Sequence, residues 1–359
     1  MAYTSVDDPT IYFNTVLYTG NGSTQTITGV GFQPDWVWIK NRSGAQGHSL
    51  YDVVRGFTTG TVLNTADNGA EATSEGNGLN GIDSDGFDLS GNNTVVGGTN
   101  ASSQTYVAWN WAMGTSFSND ASATSVGSID SSGSINTTAG QSIISWTGTG
   151  SAGTIAHGLS AVPRMIIVKN RDQNDSWYVY HVANGNTHSI LLDTNGAKVG
   201  AYTDNWNNTT PTSSVFSVGG AHATSGASNE KMISYCFADV KGYSRISSYV
   251  GNADTDGPFV YCGFRPAWFL VKNTAASEHW RVYDNKRNTF NHMFRLLNPN
   301  ENSSESTVDN GSEEIDFLSN GVKIRSSAQQ LNGSGQTLLF MAFAEAPFVN
   351  SNGVPNNAR

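Results

Sequence analysis

The clearest hydrophobic pattern along the chain is a short block in which proline precedes a mostly apolar run that ends in Lys-Asn. The block occurs three times, as PDWVWIKN at 34–41, PRMIIVKN at 163–170 and PAWFLVKN at 266–273. Both faces of each block carry apolar side chains. A strand of this kind is central and covered on both sides, or is covered by a second sheet on one side and a partner on the other. Proline is tolerated here because the first residue of a strand need not donate a ladder hydrogen bond. The pattern predicts three central β-strands.

Further landmarks keep constant distances from each block. Eleven residues after the block's lysine stands a tyrosine, within a segment of alternating polarity that predicts a strand paired to the block: Tyr51, Tyr180 and Tyr283. An aromatic strand closes each copy, 71, 68 and 71 residues after the lysine, at Trp111, Phe237 and Phe343. Landmarks at constant spacing indicate an internal repeat.

Short apolar islands separated by Gly, Asn, Ser and Thr fill the rest of each copy, as in β-sandwiches and jelly rolls. We therefore expect an all-β protein of three tandem β-sandwich (jelly-roll-like) domains related by internal repeat, each long enough for a core of its own. The predicted division is a docking arm at 1–14, repeats at 15–114, 141–242 and 243–348, a flexible or extended Ser/Thr/Gly linker at 115–140, and a polar tail at 349–359.

Composition narrows the class of protein. Charged residues are only 13% of the chain, aromatic residues are 11%, and glycine contributes 39 residues. This excludes a disordered chain and a coiled coil, and no apolar run reaches the length of a membrane span. The formal net charge of −10 argues against binding to nucleic acid, which needs clustered cations. The two cysteines, Cys236 and Cys262, lie in apolar stretches and are expected to be buried free thiols.

The sequence contains no zinc motif, nucleophile elbow or recurring pair of carboxylates. The segments 83–88 and 254–257 resemble fragments of calcium loops but lack the acidic residue at the twelfth position, so calcium is left open. No catalytic residue, metal site or cofactor is expected, and the chain is predicted not to be an enzyme.

Aromatic residues remain as candidate ligand contacts. Trp177 and Trp280 hold the same repeat position, and Tyr202 and Trp206 flank Asn and Asp residues in TDNWNNTT. Saccharides stack on rings and bond to amides, so these residues are candidates for binding glycan. The alternative is that the rings cover the end of a sandwich or a subunit contact. The recurring lysines and tyrosines are interpreted as structural, with the lysine ammonium in water.

The opening MAYTSVDDPTIYFNTVLYTGNGSTQTITGVGFQPDWVWIKNRSGAQGHSLYDVVRG and the closing YVAWNWAMG resemble virion structural and tail-fibre proteins of tailed bacteriophages, especially marine ones. The likeness is close over 1–114 and looser over 141–348. It implies a particle component, located in the virion and assembled in the host cytoplasm.

The expected function is therefore that of a tail-fibre or appendage component that contacts the host surface, with host glycan as the candidate ligand. The alternatives are a head decoration or adaptor protein with a structural role and, third, a polysaccharide depolymerase. Expected partners are other virion proteins and further copies of the chain, as a homotrimer. Within the arm, Pro9, Tyr12 and Phe13 are candidates for docking to the particle.

Overall fold

The computed structural model describes residues 4–57, 60–73, 77–92, 96–200, 204–220, 222–309 and 311–356. Within these ranges the chain is mostly β-structure, arranged in several antiparallel sheets and accompanied by helices of one turn. None of the helices described there is long and apolar enough to cross a membrane. The prediction of an all-β class is confirmed at this level.

The first segment, residues 4–114, is built on a four-stranded sheet of order β1-β9-β3-β4 and a smaller sheet of order β2-β8-β7, with β5 paired to β6. A 3-10 helix at Pro9–Ile11 comes first. The strands are β1 (Phe13–Thr19), β2 (Gln25–Thr28), β3 (Trp36–Asn41), β4 (His48–Asp52), β5 (Thr61–Val62), β6 (Ala72–Thr73), β7 (Leu79–Asp83), β8 (Gly86–Leu89) and β9 (Thr105–Trp111).

The second segment, residues 115–242, holds an eight-stranded sheet of order β10-β11-β12-β19-β14-β15-β16-β17, and β13 pairs with β18. Its elements are β10 (Thr115–Asn119), α1 (Ala121–Thr124), β11 (Ser131–Asn136), β12 (Gln141–Thr147), β13 (Gly153–Ala156), β14 (Met165–Asn170), β15 (Tyr178–His181), β16 (His188–Leu191), β17 (Val199–Gly200), β18 (Val215–Val218), α2 (His222–Ser225) and β19 (Lys231–Phe237).

The third segment, residues 243–348, returns to a four-stranded sheet, of order β20-β28-β22-β23, with smaller sheets β21-β27-β26 and β24-β25. Its elements are β20 (Ser244–Val250), β21 (Phe259–Tyr261), β22 (Phe264–Asn273), β23 (Arg281–Asp284), β24 (Arg295–Leu296), β25 (Ser306–Thr307), β26 (Ile315–Leu318), β27 (Gly321–Ile324), α3 (Gln329–Asn332) and β28 (Thr337–Pro347).

The region 115–140 differs from the expected linker. It contains β10, α1 and β11, and β11 pairs along its whole length with β12, so that the region adds two strands to the second sheet. Its Ser/Thr/Gly composition predicted a flexible or extended linker, but small side chains also suit a strand that packs closely. A Cβ at Gly133 would lie 1.9 Å from the carbonyl oxygen of Ile143 on the neighbouring strand. The segment is ordered by strand pairing that its composition does not reveal.

The three proline blocks form central strands that are buried on both faces, as their pattern predicts. One face of each packs within its own segment against the smaller sheet. In β3 this face carries Val37 and Ile39, which join a cluster with Ile27 and Phe87. The second and third segments have corresponding clusters of their own. The pairing of each block with the strand that follows it, β3 with β4, β14 with β15 and β22 with β23, is also confirmed.

The other face of each block packs in a fourth cluster that all three segments share. It contains Trp36, Trp38, Trp109 and Trp111 of the first segment, Met165, Ile167, Tyr235 and Phe237 of the second, and Trp268, Leu270, Met341 and Phe343 of the third. Its rings are in direct contact: Trp36 stacks on Tyr235 with ring centroids 4.6 Å apart, and Trp111 meets Trp268 edge-on at 5.8 Å. The segments therefore have cores of their own and, in addition, one in common.

Candidate functional site

Trp177 and Trp280, two of the predicted ligand contacts, lie where one segment meets another. Both side chains are buried. Their indole Nε1–H groups donate, each at 2.8 Å, to backbone carbonyl oxygens of a different segment, those of Asn64 and Leu191. His48, at the same position of the first segment, contacts a carbonyl oxygen of the third segment through Nε2 at 3.0 Å. These side chains join segments and offer no ring face to a saccharide.

Trp206 is also buried, so the structure does not support its predicted contact with a ligand. Its indole Nε1–H donates to the Ser189 hydroxyl oxygen at 3.0 Å, and its ring packs edge-on against Tyr180 at 5.7 Å. Ser189 also lines a cavity of about 300 Å³. Tyr202, the fourth candidate, lies outside the described residues.

The predicted docking residues Pro9, Tyr12 and Phe13 belong to the fold. Pro9 is buried in the 3-10 helix, and Phe13 begins β1 within the shared core, 5.2 Å from the ring of Phe343. Tyr12 is half-buried and meets Tyr243 edge-on at 5.8 Å. The start of the chain is therefore not a free arm from residue 9 onward, because its aromatic residues hold the first segment against the third.

The recurring lysines Lys40, Lys169 and Lys272 are fully buried, which corrects the expectation of a wet ammonium group. Each Nζ donates to a carbonyl oxygen of the loop after its strand, at 2.6, 2.7 and 2.6 Å respectively: those of Gln46, Asp175 and Glu278. Each also donates to one carbonyl oxygen of another segment, at 3.3, 3.1 and 3.2 Å respectively: those of Asn302, Asn68 and Asn195. Loss of hydration lowers the pKa of Lys40 to about 7 and the pKa values of the other two to about 8.

These lysine contacts run in a cycle. The first segment reaches the third, the second reaches the first, and the third reaches the second. Backbone hydrogen bonds two residues further on follow the same cycle, at 2.8, 2.8 and 2.9 Å: Glu305 N–H to Arg42, Glu71 N–H to Arg171 and Lys198 N–H to Thr274. The end of each block is therefore hydrogen-bonded to a neighbouring segment.

The lowered pKa of Lys40 predicts a stability that rises with pH. Below pH 7 the lysine is protonated in both the folded and the unfolded state, and between about pH 7 and its unfolded value of 10.5 the unfolded state binds more protons. Relative to Lys40→Met, the wild-type free energy of unfolding should therefore increase by on the order of 1–2 kcal/mol from pH 7 to pH 9. Urea unfolding of both proteins at these two pH values measures the difference, and parallel pH profiles would contradict the assignment.

A buried ionic network joins the second segment to the first. The Arg171 guanidinium donates to Glu71 at 2.7 Å, and Glu71 also accepts from Arg55 at 3.1 Å. Arg55 in turn is paired with Asp52, and neither of these two side chains is exposed to solvent. The Tyr235 hydroxyl of the second segment donates to Asp52 at 2.8 Å, which adds a second contact between the two segments to the network.

The contact between the third and first segments repeats this arrangement. Arg42 donates to Glu305 at 2.9 Å, Glu305 also meets Arg287, and Arg287 pairs with the unexposed Asp284. Here Trp109 of the first segment donates its indole N–H to Asp284 at 3.0 Å. Because removing one member of such a network takes a partner away from a buried charge, these residues are structural anchors.

The second segment has His181 at the position of Asp52 and Asp284. Its Nε2 contacts the carbonyl oxygen of Phe340 in the third segment at 3.4 Å. Burial lowers the pKa of His181 to about 4, so its ring is neutral at neutral pH. The contact between the second and third segments is therefore made here by a neutral side chain.

The two turns that resemble calcium-loop fragments already use carboxylates within the protein. Asp85 accepts from the backbone N–H groups of Gly29 and Gly31, at 3.1 and 2.6 Å. Asp256 forms an ion pair with Lys323 at 2.7 Å, and Asp254 accepts from the Asp256 N–H at 2.8 Å. These carboxylates act in turn formation, as Asp-Gly segments commonly do.

Both cysteines are buried free thiols, as predicted. Burial raises the pKa of Cys236 to about 12 and raises the pKa of Cys262 as well. Thiols held in the protonated form are poor nucleophiles, so neither shows the features of a reactive cysteine.

The loop between β23 and β24 exposes a large aromatic side chain beside a cavity. Its Phe290 side chain is 77% exposed, the largest exposure among the large apolar side chains that the structure describes. A cavity of about 410 Å³ opens beside it, lined by Arg287, Asn288, Thr289, Phe290, Asn291, His292, Phe294, Arg295 and Asp309. An exposed aromatic side chain at the rim of a polar cavity is a candidate contact for a partner or ligand.

Two residues that line this cavity, His292 and Asp309, lie close to the largely buried Glu314, and together they make three potential metal ligands. Nε2 of His292 lies 2.9 Å from Oδ1 of Asp309 and 3.8 Å from Oε2 of Glu314. One ligand atom from each residue lies within 4.8 Å of those of the other two. The carboxylates raise the pKa of His292, chiefly through the hydrogen bond to Asp309. The sequence did not predict this group, because the intervals of 17 residues from His292 to Asp309 and of 5 residues from Asp309 to Glu314 match no metal motif.

Comparison with known proteins places the chain in a family without an assigned activity. No curated protein matches it. The model of a family described as a domain of unknown function, DUF7483, matches residues 8–347, a range that takes in strands of all three segments and the shared core. The chain belongs to the DUF7483 family.

Proposed function

We propose that this protein is a structural component of a tailed-bacteriophage particle, a subunit of a tail fibre or related appendage. The observation that carries the proposal is the resemblance of residues 1–114 to virion structural and tail-fibre proteins. The shared aromatic core is consistent with it, since a particle component outside the cell must stay folded and this chain has no disulfide.

Within this proposal, the three segments are β-sandwiches of jelly-roll type, related by internal repeat. Two features support the repeat. The strand orders β1-β9-β3-β4 and β20-β28-β22-β23 correspond, and β12-β19-β14-β15 has the same order inside the second sheet. The block lysines also occupy corresponding places, each bound to a carbonyl oxygen of its own loop and to one of another segment. Three copies arranged around one core would make a rigid particle subunit.

The geometry favours a structural role over recognition of glycan by the predicted tryptophans. The indole N–H groups of these residues donate to acceptors within the protein, and the rings are buried: Trp177, Trp206 and Trp280. Contact with the host surface is then made by exposed side chains such as Phe290. The further copies of the chain that we propose as partners would meet through the outer surface, because the inner apolar faces already pack against one another.

Two experiments on particles of a phage that encodes this chain test the proposal: mass spectrometry of gradient-purified particles and antibody labelling of intact ones. We expect the chain in purified particles and label on the tail appendage. Label on the head would replace the appendage with the head-decoration alternative, and absence from the particles would overturn the proposal altogether. Incubation of the purified protein with host polysaccharide supplies a separate control, because release of reducing ends would indicate a depolymerase instead.

A further inference from the structure

The geometry points to a binding site for a divalent transition-metal ion at His292, Asp309 and Glu314, with Zn²⁺ as the favoured occupant. The three side chains come from different places in the third segment. His292 lies in the loop between β23 and β24, Asp309 follows β25, and Glu314 immediately precedes β26. One imidazole nitrogen with two carboxylate oxygens is a donor set that suits zinc and its first-row neighbours.

The spacing of the ligand atoms is close to what a bound ion requires. With metal–ligand bonds of about 2.0–2.1 Å, two ligands of a tetrahedral ion lie about 3.3 Å apart. The present distances from Nε2 of His292, 2.9 Å to Asp309 and 3.8 Å to Glu314, fall on either side of that value. The His292 and Asp309 side chains are 42% and 60% exposed, so small rotations at the surface can equalise the distances.

Two further features favour an ion here over an ordinary surface ion pair. Glu314 is largely buried, and its second oxygen, Oε1, accepts from the Gly311 backbone N–H at 2.6 Å. A hydrogen bond to the outer oxygen of a ligating carboxylate fixes its orientation toward a metal. The cavity of about 410 Å³ borders His292 and Asp309, which leaves room for a water molecule or another ligand to complete the coordination shell.

A bound ion would couple the loop that carries Phe290 to the segment that leads into β26. At present the contacts that the structure gives His292 with Asp309 and Glu314 are one hydrogen bond and one longer ion pair. An ion that replaced them with coordination bonds would fix the position of the exposed ring and of the cavity wall beside it. The chain offers a matched control in His279, which meets a single carboxylate, Glu301, at 3.0 Å.

The test is isothermal titration calorimetry, in which Zn²⁺ is added to the untagged, chelator-treated full chain. A second titration with Co²⁺ is followed by the visible absorption of the bound ion. We expect one ion per chain, with Co²⁺ competing for the site and Ca²⁺ failing to displace it, because calcium prefers oxygen ligands. His292→Ala and Asp309→Asn should each weaken binding by at least about 10-fold. Loss of a residue that only hydrogen-bonds to a metal ligand already weakens metal binding by about 10-fold or more, and loss of the ligand itself should cost no less.

His279→Ala should leave the affinity unchanged. The proposal is overturned if wild-type protein takes up no Zn²⁺, or if His292→Ala and His279→Ala bind it as tightly as wild type. Both replaced histidines are partly exposed, and Asp309→Asn keeps the shape of the side chain. Far-ultraviolet circular dichroism of each variant establishes that a loss of binding is not a loss of folding.

Discussion

Replacement of Asp52 by Asn is expected to lower the free energy of unfolding by about 3 kcal/mol, the lower end of the range for breaking a buried ion pair. Asp52 Oδ2 faces two donors, Nε–H of Arg55 and the hydroxyl of Tyr235. An amide group at this position places an N–H against a donor and removes the charge that balances Arg55. The loss stays near 3 kcal/mol because Glu71 still accepts from Arg55.

The corresponding change in the third segment, Asp284→Asn, should cost at least as much. Asp284 Oδ2 accepts from Arg287 and from the indole N–H of Trp109. A tyrosine hydroxyl can turn and accept a hydrogen bond from the new amide, whereas an indole can only donate. Asp52→Asn should therefore be the milder of the two substitutions.

Equilibrium unfolding in urea measures both variants, with Asp83→Asn as the control because Asp83 is an exposed carboxylate on the smaller sheet. The control should stay within about 0.5 kcal/mol of wild type. A loss below 1 kcal/mol for both buried variants would show that these networks do not anchor the segments.

Replacement of Trp111 by Ala is expected to lower the free energy of unfolding by about 3–5 kcal/mol, as large-to-small changes of buried aromatic residues do. The Trp111 side chain is fully buried. Its ring stacks on Trp36 at 4.2 Å within the first segment and meets two rings of the third, those of Trp268 at 5.8 Å and Phe343 at 5.7 Å. The cavity left by the substitution would therefore open between segments.

The location of the damage separates a shared core from independent domains. Hydrogen exchange followed by mass spectrometry should show reduced protection of β22 and β28 in Trp111→Ala, although the substitution lies in β9. Trp146→Ala is the matched comparison. Trp146 packs in the second segment's own cluster and not in the shared core, with its ring 5.7 Å from that of Phe216. Loss of protection confined to the first segment in Trp111→Ala would contradict the common core.

Much of the fold is readable from alternation alone. The proline blocks were predicted as strands covered on both faces, and the burial of Trp36 to Asn41 and its counterparts agrees. Alternation reports that a face is buried but not what buries it. For this reason the pattern did not reveal that the tryptophans of the first block face the two other segments.

The candidate site was less accessible to sequence reasoning. The acceptors of the block lysines are backbone carbonyl oxygens, which every residue type carries, so no sequence pattern marks them. His292, Asp309 and Glu314 meet because loops around β24, β25 and β26 converge, and loop convergence depends on tertiary packing. Composition also misled where it favoured a linker at 115–140, since a Ser- and Gly-rich stretch with a strand partner becomes a strand.

The amino-acid pattern alone therefore settled the all-β class, the central strands and their neighbours in sequence, because period-two alternation and turn residues act over a few residues. Tertiary structure decided which apolar face meets a smaller sheet and which meets the common core. It also decided that the lysines and the Asp52 and Asp284 networks are buried between segments. Those outcomes depend on contacts between residues far apart in the sequence, such as Tyr235 with Asp52 and Trp109 with Asp284, and local sequence carries no record of them.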